Sequence, residues 1–261
     1  MALFEHPRRS SLLFRLTLIW TASLFLFPLL LAQGIWTRRH IEKLPEARSP
    51  NEGIAGGKGR PIYIVGVGDS VIAGVGVEWL SESLTACVAG KLSSKMNRSV
   101  AWAAYGINGE RVSELIKRVP QIPNKEVDQV LVSIGVNDVS RLTSISCWHF
   151  EIAALIAELK QHFGVPIIFM GLPPMGVFPG LPQPLRFVLG IRAAMLDLIL
   201  VNATKQHDDI LWSGSFSQMD FSNPAKILVA SDGYHPNRQA CEISSEEIAA
   251  QVIEANLHEA W

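Results

Sequence analysis

The chain opens on an unbroken apolar stretch and then changes to alternating short and long hydrophobic patterns. Between residues 16 and 36 no side chain is charged and Gln33 alone is strongly polar. About 20 such residues suffice to cross a bilayer. Periodicity then disappears over residues 37–60, where Pro45, Pro50 and the cluster Gly53-Ile54-Ala55-Gly56-Gly57-Lys58-Gly59 read as a linker. Past it, short runs rich in β-branched residues alternate with helical stripes. Residues 61–67, 100–104, 128–134, 166–170 and 209–212 read as strands. Residues 81–96, with Leu84, Cys87, Val88 and Leu92 on one stripe, and 110–119, 150–163, 186–207 and 237–257 read as helices. The first strand run is almost uncharged, the mark of a strand covered on both faces. Such alternation predicts an α/β fold, a three-layer α/β/α sandwich around a mostly parallel sheet. The expected organisation is a membrane anchor or signal segment over 1–36, a linker over 37–60 and one folded body over 61–261.

Charge refines the reading of the first segment. Arg8, Arg9 and Arg15 precede the run and favour a cytoplasmic N-terminus, while Arg38, Arg39 and Lys43 beyond it weaken that orientation. Leu30-Leu31-Ala32 is a tolerable cleavage site, but no small-x-small triplet is present and the run exceeds the usual signal core. A retained anchor holding the body on the periplasmic side is therefore expected, with secretion after cleavage as the alternative. No cysteine follows the run, so lipoprotein processing is excluded. The net charge of −1 hides an asymmetry, because the first fifty residues carry seven Lys and Arg against three Asp and Glu. The rest is mildly acidic and leaves no basic footprint for nucleic acid. Cys87, Cys147 and Cys241 are far apart in sequence, form no metal-ligand cluster and allow at most one disulfide.

The candidate chemistry follows the strands. Gly68-Asp69-Ser70 comes directly after the first one, which puts a serine hydroxyl where open α/β sheets bind ligands. Alone this triplet reads equally as a turn with a helix cap. Gly106-Ile107-Asn108-Gly109-Glu110 follows the second strand, Gly135-Val136-Asn137-Asp138 the third, and Asp232-Gly233-Tyr234-His235-Pro236 precedes the last helix. In these blocks, in this order, the sequence resembles the SGNH (GDSL) hydrolase superfamily from about Pro61 to the C-terminus. Val71 stands where leucine is usual, and the glycine block aligns on Gly109 or on Gly106. The resemblance implies a flavodoxin-like SGNH hydrolase fold and hydrolysis of carboxylic esters by a serine nucleophile, with no cofactor or metal.

The residue types suit that chemistry. A serine hydroxyl needs a base, and His235 is the one histidine in an Asp-Gly-Pro turn beside a helix start. Asp232, three residues earlier, is placed to orient its ring and stabilise the imidazolium. The oxyanion would be met by the backbone N–H of Ser70, the backbone N–H of Gly109 and the side-chain amide of Asn137. Asp69, Gly135 and Asp138 are expected to support the loops. For the substrate, the apolar loop 172–182 and the helix beginning near Arg186 suggest an acyl groove, hence short to medium, lipid-like esters. Two alternatives stand beside it: an O-acetylesterase acting on an envelope polysaccharide, and a non-catalytic envelope scaffold.

Overall fold

A computed structural model describes residues 7–216 and 228–255. The chain runs α1 (Pro7–Ser23), a 3-10 turn (Leu24–Leu26), α2 (Phe27–His40), β1 (Glu52–Ala55), β2 (Ile62–Gly68), α3 (Leu84–Met96), β3 (Val100–Gly106) and α4 (Val112–Arg118). It continues through β4 (Gln129–Ser133), α5 (Val136–Ser140), α6 (Ile145–Phe163), β5 (Ile167–Met170), α7 (Leu185–Thr204), β6 (Ile210–Ser213) and α8 (Arg238–Glu254). Among the described residues the strands form one sheet in the order β1-β3-β2-β4-β5-β6, parallel except for β1. Helices α3 and α8 pack together on one face, and α4, α6 and α7 on the other. This is the expected three-layer α/β/α sandwich.

β2 lies at the centre, and Ile64, Val65 and Val67 are fully buried between the helical layers. The chain passes from β2 to β3 on one side, then returns to place β4 on the other. That reversal is the point where doubly wound sheets open a ligand crevice. The register sharpens it: Gly68 pairs with Gly106 on one flank and with Ser133 on the other. Three loops therefore leave the sheet at one level.

The five expected strands and five expected helices all appear, with ends shifted by a few residues; the last residues expected in the closing helix lie outside the described ones. The stretch expected as a linker departs from that reading. Its first residues continue α2, and Glu52–Ala55 pairs antiparallel with β3 as the edge strand. Four residues with a glycine and no β-branched run give no strand signal; Gly53 is there because a Cβ would meet the Trp102 ring at 2.9 Å. The stretch is also stitched to the body: Ala47 N–H donates to the Ala73 carbonyl at 3.1 Å and Ala104 N–H to the Asn51 carbonyl at 2.8 Å. The apolar N-terminal stretch is helical from Ser11 to His40, long and apolar enough to cross a membrane. It does not stand apart, because α1 and α2 both pack on α7.

Helix α3 comes so close to the sheet that a Cβ on Gly66 would lie 2.2 Å from Thr85 Oγ1. The Thr85 hydroxyl is buried without a hydrogen-bond partner, so its loss removes nothing favourable. Gly66→Ala is expected to lower unfolding stability by about 1–3 kcal/mol, the usual cost of overpacking. Adding Thr85→Ala should recover most of it. Chemical denaturation of the two single variants and the double variant would measure that coupling, and purely additive effects would refute the contact.

Candidate active site

β2 delivers Ser70. Asp69 N–H donates to the Ser133 carbonyl at 2.9 Å, pinning the start of the turn to β4. The Asp69 and Ser70 carbonyls then accept from Ala73 at 3.0 Å and Val75 at 2.9 Å, which closes a tight loop and leaves Ser70 7% exposed. The turn before α8 delivers its partner. Asp232 Oδ1 accepts the N–H groups of Tyr234 and His235 at 2.9 and 3.0 Å, an Asx-type turn. Its Oδ2 lies 2.5 Å from His235 Nδ1, and His235 Nε2 lies 3.1 Å from Ser70 Oγ. The structure thus brings Ser70, His235 and Asp232 into one chain of contacts across the sheet's carboxyl edge. Burial pushes the Asp232 carboxyl up, but the His235 ring and the two backbone donors outweigh it and hold the group below its ordinary range. It is a carboxylate at neutral pH, set against the Nδ1 side of the His235 ring, with Nε2 on the side of Ser70.

Gly109 and Asn137 come from the next two loops. Ile107 N–H donates to the Gly68 carbonyl at 2.9 Å, and Gly109 has a positive φ of 87°. Asn137 stands in the first turn of α5, which Gly135 caps. Its Nδ2 donates to the Glu110 carbonyl at 3.0 Å. An amide nitrogen carries two N–H groups, and this bond uses one of them to fix the side chain. Gly106 and Gly109 separate by their surroundings. A Cβ on Gly106 would clash with Ala73 N, inside the Ser70 loop, whereas one on Gly109 would meet Arg141 Nη2 at 3.6 Å. Gly106 lets the serine loop rest on β3, and Gly109 turns the loop that faces it.

The supporting carboxylates are buried. Asp69 Oδ1 accepts from Val71 N–H at 3.2 Å; Asp138 accepts from Val112 N–H at 3.2 Å and from the Thr143 hydroxyl at 2.9 Å. Sequence reasoning missed two features. Arg118 grips Glu110 through Nε at 2.7 Å and Nη2 at 2.6 Å, and Nη2 also donates to the Tyr105 carbonyl at 3.1 Å. An acidic and a basic residue eight positions apart carry no helical signature, so that pair was invisible before the fold. Tyr234 sits within the Asp-x-x-His block with no sequence signal of its own; its ring meets those of Phe178 and His235 edge-on, each at 5.2 Å.

An apolar pocket of about 30 Å³ lies beside Ser70, walled by Val71, Ile134, Val136, Leu172, Phe178 and Phe216 among others. The loop 172–182 thus contributes Leu172, Pro173 and Phe178. The rest of the acyl-groove expectation is corrected. Met175 is fully buried and absent from the pocket wall, and no residue of α7 lines it, because α7 turns its faces to the core and to α1.

Burial pushes the Asp69 carboxyl up to about 7, the Val71 N–H opposes this, and the charges of Glu110 and Asp138 add to it. A folded-state value above the unfolded one stabilises the protein at low pH, and that stability is lost as pH rises through about 7. Asp69→Asn keeps the acceptor for Val71 and cannot ionise. Its melting temperature should therefore decline less than that of the parent between pH 5 and 8; identical slopes would show that Asp69 does not titrate there.

Residues 67–243 match the GDSL-like Lipase/Acylhydrolase family. The chain is 22% identical to a GDSL-like esterase of Mycobacterium tuberculosis, over 92% of its own length and 82% of that protein. The fold matches a lipase/acylhydrolase from Enterococcus faecalis at a TM-score of 0.56, with 21% identity over 73% of this chain and 95% of that one. It also matches a family 3 carbohydrate esterase from Clostridium thermocellum at 0.59, with 16% identity over 77% and 98%. The residues matched by the family include Ser70, Gly109, Asn137, Asp232 and His235. The chain belongs to the GDSL-like lipase/acylhydrolase family and is a carboxylic ester hydrolase.

Proposed function

We propose that the protein is a serine esterase for short acyl groups, working through Ser70, His235 and Asp232. The observation that carries this reading is the position of the His235 ring, with Nδ1 on a buried carboxylate and Nε2 on the Ser70 hydroxyl. In the first half-reaction Ser70 Oγ attacks the acyl carbon and its proton passes to His235 Nε2. The negative oxygen is met by the N–H groups of Ser70 and Gly109 and by the Asn137 amide. His235 then gives the proton to the departing alkoxide, leaving an acyl-serine. In the second half-reaction a water loses its proton to His235 and attacks the same carbon, releasing the acid and restoring Ser70.

Pocket size supports the short end of the expected acyl range. On the same measure one water needs at least 10–15 Å³, so about 30 Å³ holds an acetyl or little more. The apolar wall favours a hydrocarbon end over a polar one. Removal of acetyl groups from a carbohydrate draws on the same small pocket and remains the second reading. A non-catalytic scaffold would not need a histidine held between a carboxylate and a serine. The apolar N-terminal helix supports attachment to a membrane.

Ser70→Ala should abolish both hydrolysis of p-nitrophenyl acetate and covalent labelling by a fluorophosphonate, since each requires the activated hydroxyl. Labelling that persists in this variant, at any other serine, would remove Ser70 as the nucleophile.

For the acyl side, kcat/KM on p-nitrophenyl esters should be highest for acetyl to propionyl and at least ~10-fold lower by hexanoyl, because a methylene with no room forfeits the burial that would favour it. Phe178→Leu shortens the wall and should move the optimum to longer chains while leaving acetyl hydrolysis within a few-fold. A series that rises steadily to hexanoyl in the parent would restore the longer-chain reading.

A further inference from the structure

The N-terminal helix meets the body along one stripe. Its covered or half-covered positions include Leu13, Leu16, Trp20, Leu30, Gly34 and Thr37, at spacings that keep them on one face. Polar contacts fix this stripe. The Arg192 guanidinium of α7 lies over the Trp20 ring at 5.3 Å. Gln33 donates from Nε2 to the Gln183 carbonyl at 2.6 Å and accepts from Leu185 N–H at 3.0 Å through Oε1. The one strongly polar residue of the apolar run is thus the one that clamps it to the body.

The remaining sides are apolar and uncovered. Phe14, Leu18, Phe25, Leu29, Ile35 and Trp36 are all exposed, Phe25 at 92%. Hydrocarbon is the occupant that suits a wide apolar face on so long a helix. The charges then decide its tilt. Trp20 lies beside Arg192 and Gln33 beside Leu185, so α7 runs antiparallel along the helix. A perpendicular, spanning helix would carry α7 into the bilayer together with α6, which packs on it and bears Glu151, Glu158 and Lys160. Ionised groups in hydrocarbon are costly. A helix lying in the surface keeps α7 above the lipid. It also explains basic residues at both ends, Arg8, Arg9 and Arg15 before and Arg38, Arg39 and Lys43 after, which then meet one layer of headgroups.

We propose that this helix is retained and lies in the plane of a membrane surface, its stripe on α7 and its other sides in the acyl region, with the N-terminus and the catalytic body on the same side. This geometry replaces the expectation of a spanning anchor with the body across the membrane. The test uses the full-length chain, with Cys147→Ser to remove the exposed thiol and an N-terminal tag, in sealed vesicles of phosphatidylcholine and phosphatidylglycerol. Nitroxide labels attached through F14C, L18C, F25C and L29C, one at a time, should report one common shallow depth. The tag and the body should be cut by external protease in the same molecules, a reading that needs no label, and hydrolysis of a soluble ester monitors folding of each variant. A depth profile deepest near Leu18 and Phe25, with the tag protected when the body is cut, would establish a spanning helix and overturn the proposal. So would a mature chain beginning near Gln33, or labels shielded from lipid by a second copy of the chain.

Discussion

The site exists because Gly68, Gly106 and Ser133 lie side by side at the carboxyl edge of the sheet. With that register, the serine loop, the Gly109 loop and the Asn137 helix start at one level and face a common point. Loop N–H groups of Asp69 and Ile107 satisfy the Ser133 and Gly68 carbonyls at this edge, and Arg118 adds to them, donating to the Tyr105 carbonyl while held bidentately by Glu110. The half-buried Arg118 guanidinium has its charge matched by the buried Glu110 carboxylate and its Nε and Nη2 donors engaged. The arginine is then part of what keeps β2 and β3 aligned beneath the serine.

Several carboxylates crowd this region, and their surroundings give them different work. Asp232 receives two backbone N–H groups and lies against the imidazole, so it holds its charge beside the ring that the proposed mechanism makes cationic. Asp69 is more deeply buried, and loss of hydration pushes its carboxyl up to about 7. A full negative charge one residue from Ser70 would oppose an oxyanion forming there. Burial of Asp69 lessens that opposition as pH falls, whereas hydrogen bonding of Asp232 preserves the charge that helps.

The parts legible in the sequence were those whose signal is local. Runs such as Ile62-Tyr63-Ile64-Val65 are continuous and nearly uncharged because both faces are covered, and they were read as strands. Ser70, Asp232 and His235 stood out through turn residues next to strand and helix ends. What stayed hidden depends on contacts between distant residues. β1 is a strand because β3 offers it an edge, not because Glu52-Gly53-Ile54-Ala55 prefers one. Arg118 and Glu110 form a pair through the loop after β3, and pocket volume follows from how Phe178 packs on Tyr234. The loop 172–182 was correctly seen to be apolar, but composition does not separate a wall residue such as Phe178 from a core residue such as Met175.

Helix α7 links the two halves of the molecule. It is apolar nearly all round, with a mean hydropathy of 1.7 over its most apolar window, because one side meets the sheet and the other receives α1. Apolar surfaces alone would let the N-terminal helix slide, since a shifted register buries similar area. Polar groups set within each apolar helix remove that freedom. Arg192 finds the Trp20 ring and the Thr143 carbonyl, and Gln33 finds Gln183 and Leu185. A slip of one turn would take the Trp20 ring from Arg192 and break both hydrogen bonds of the Gln33 amide, so this register is favoured over its neighbours. The backbone gripped by Gln33 closes the same loop that sends Leu172 and Phe178 into the pocket wall. The exposed apolar N-terminal helix is therefore held, through a few hydrogen bonds, to the segment that walls the pocket beside Ser70.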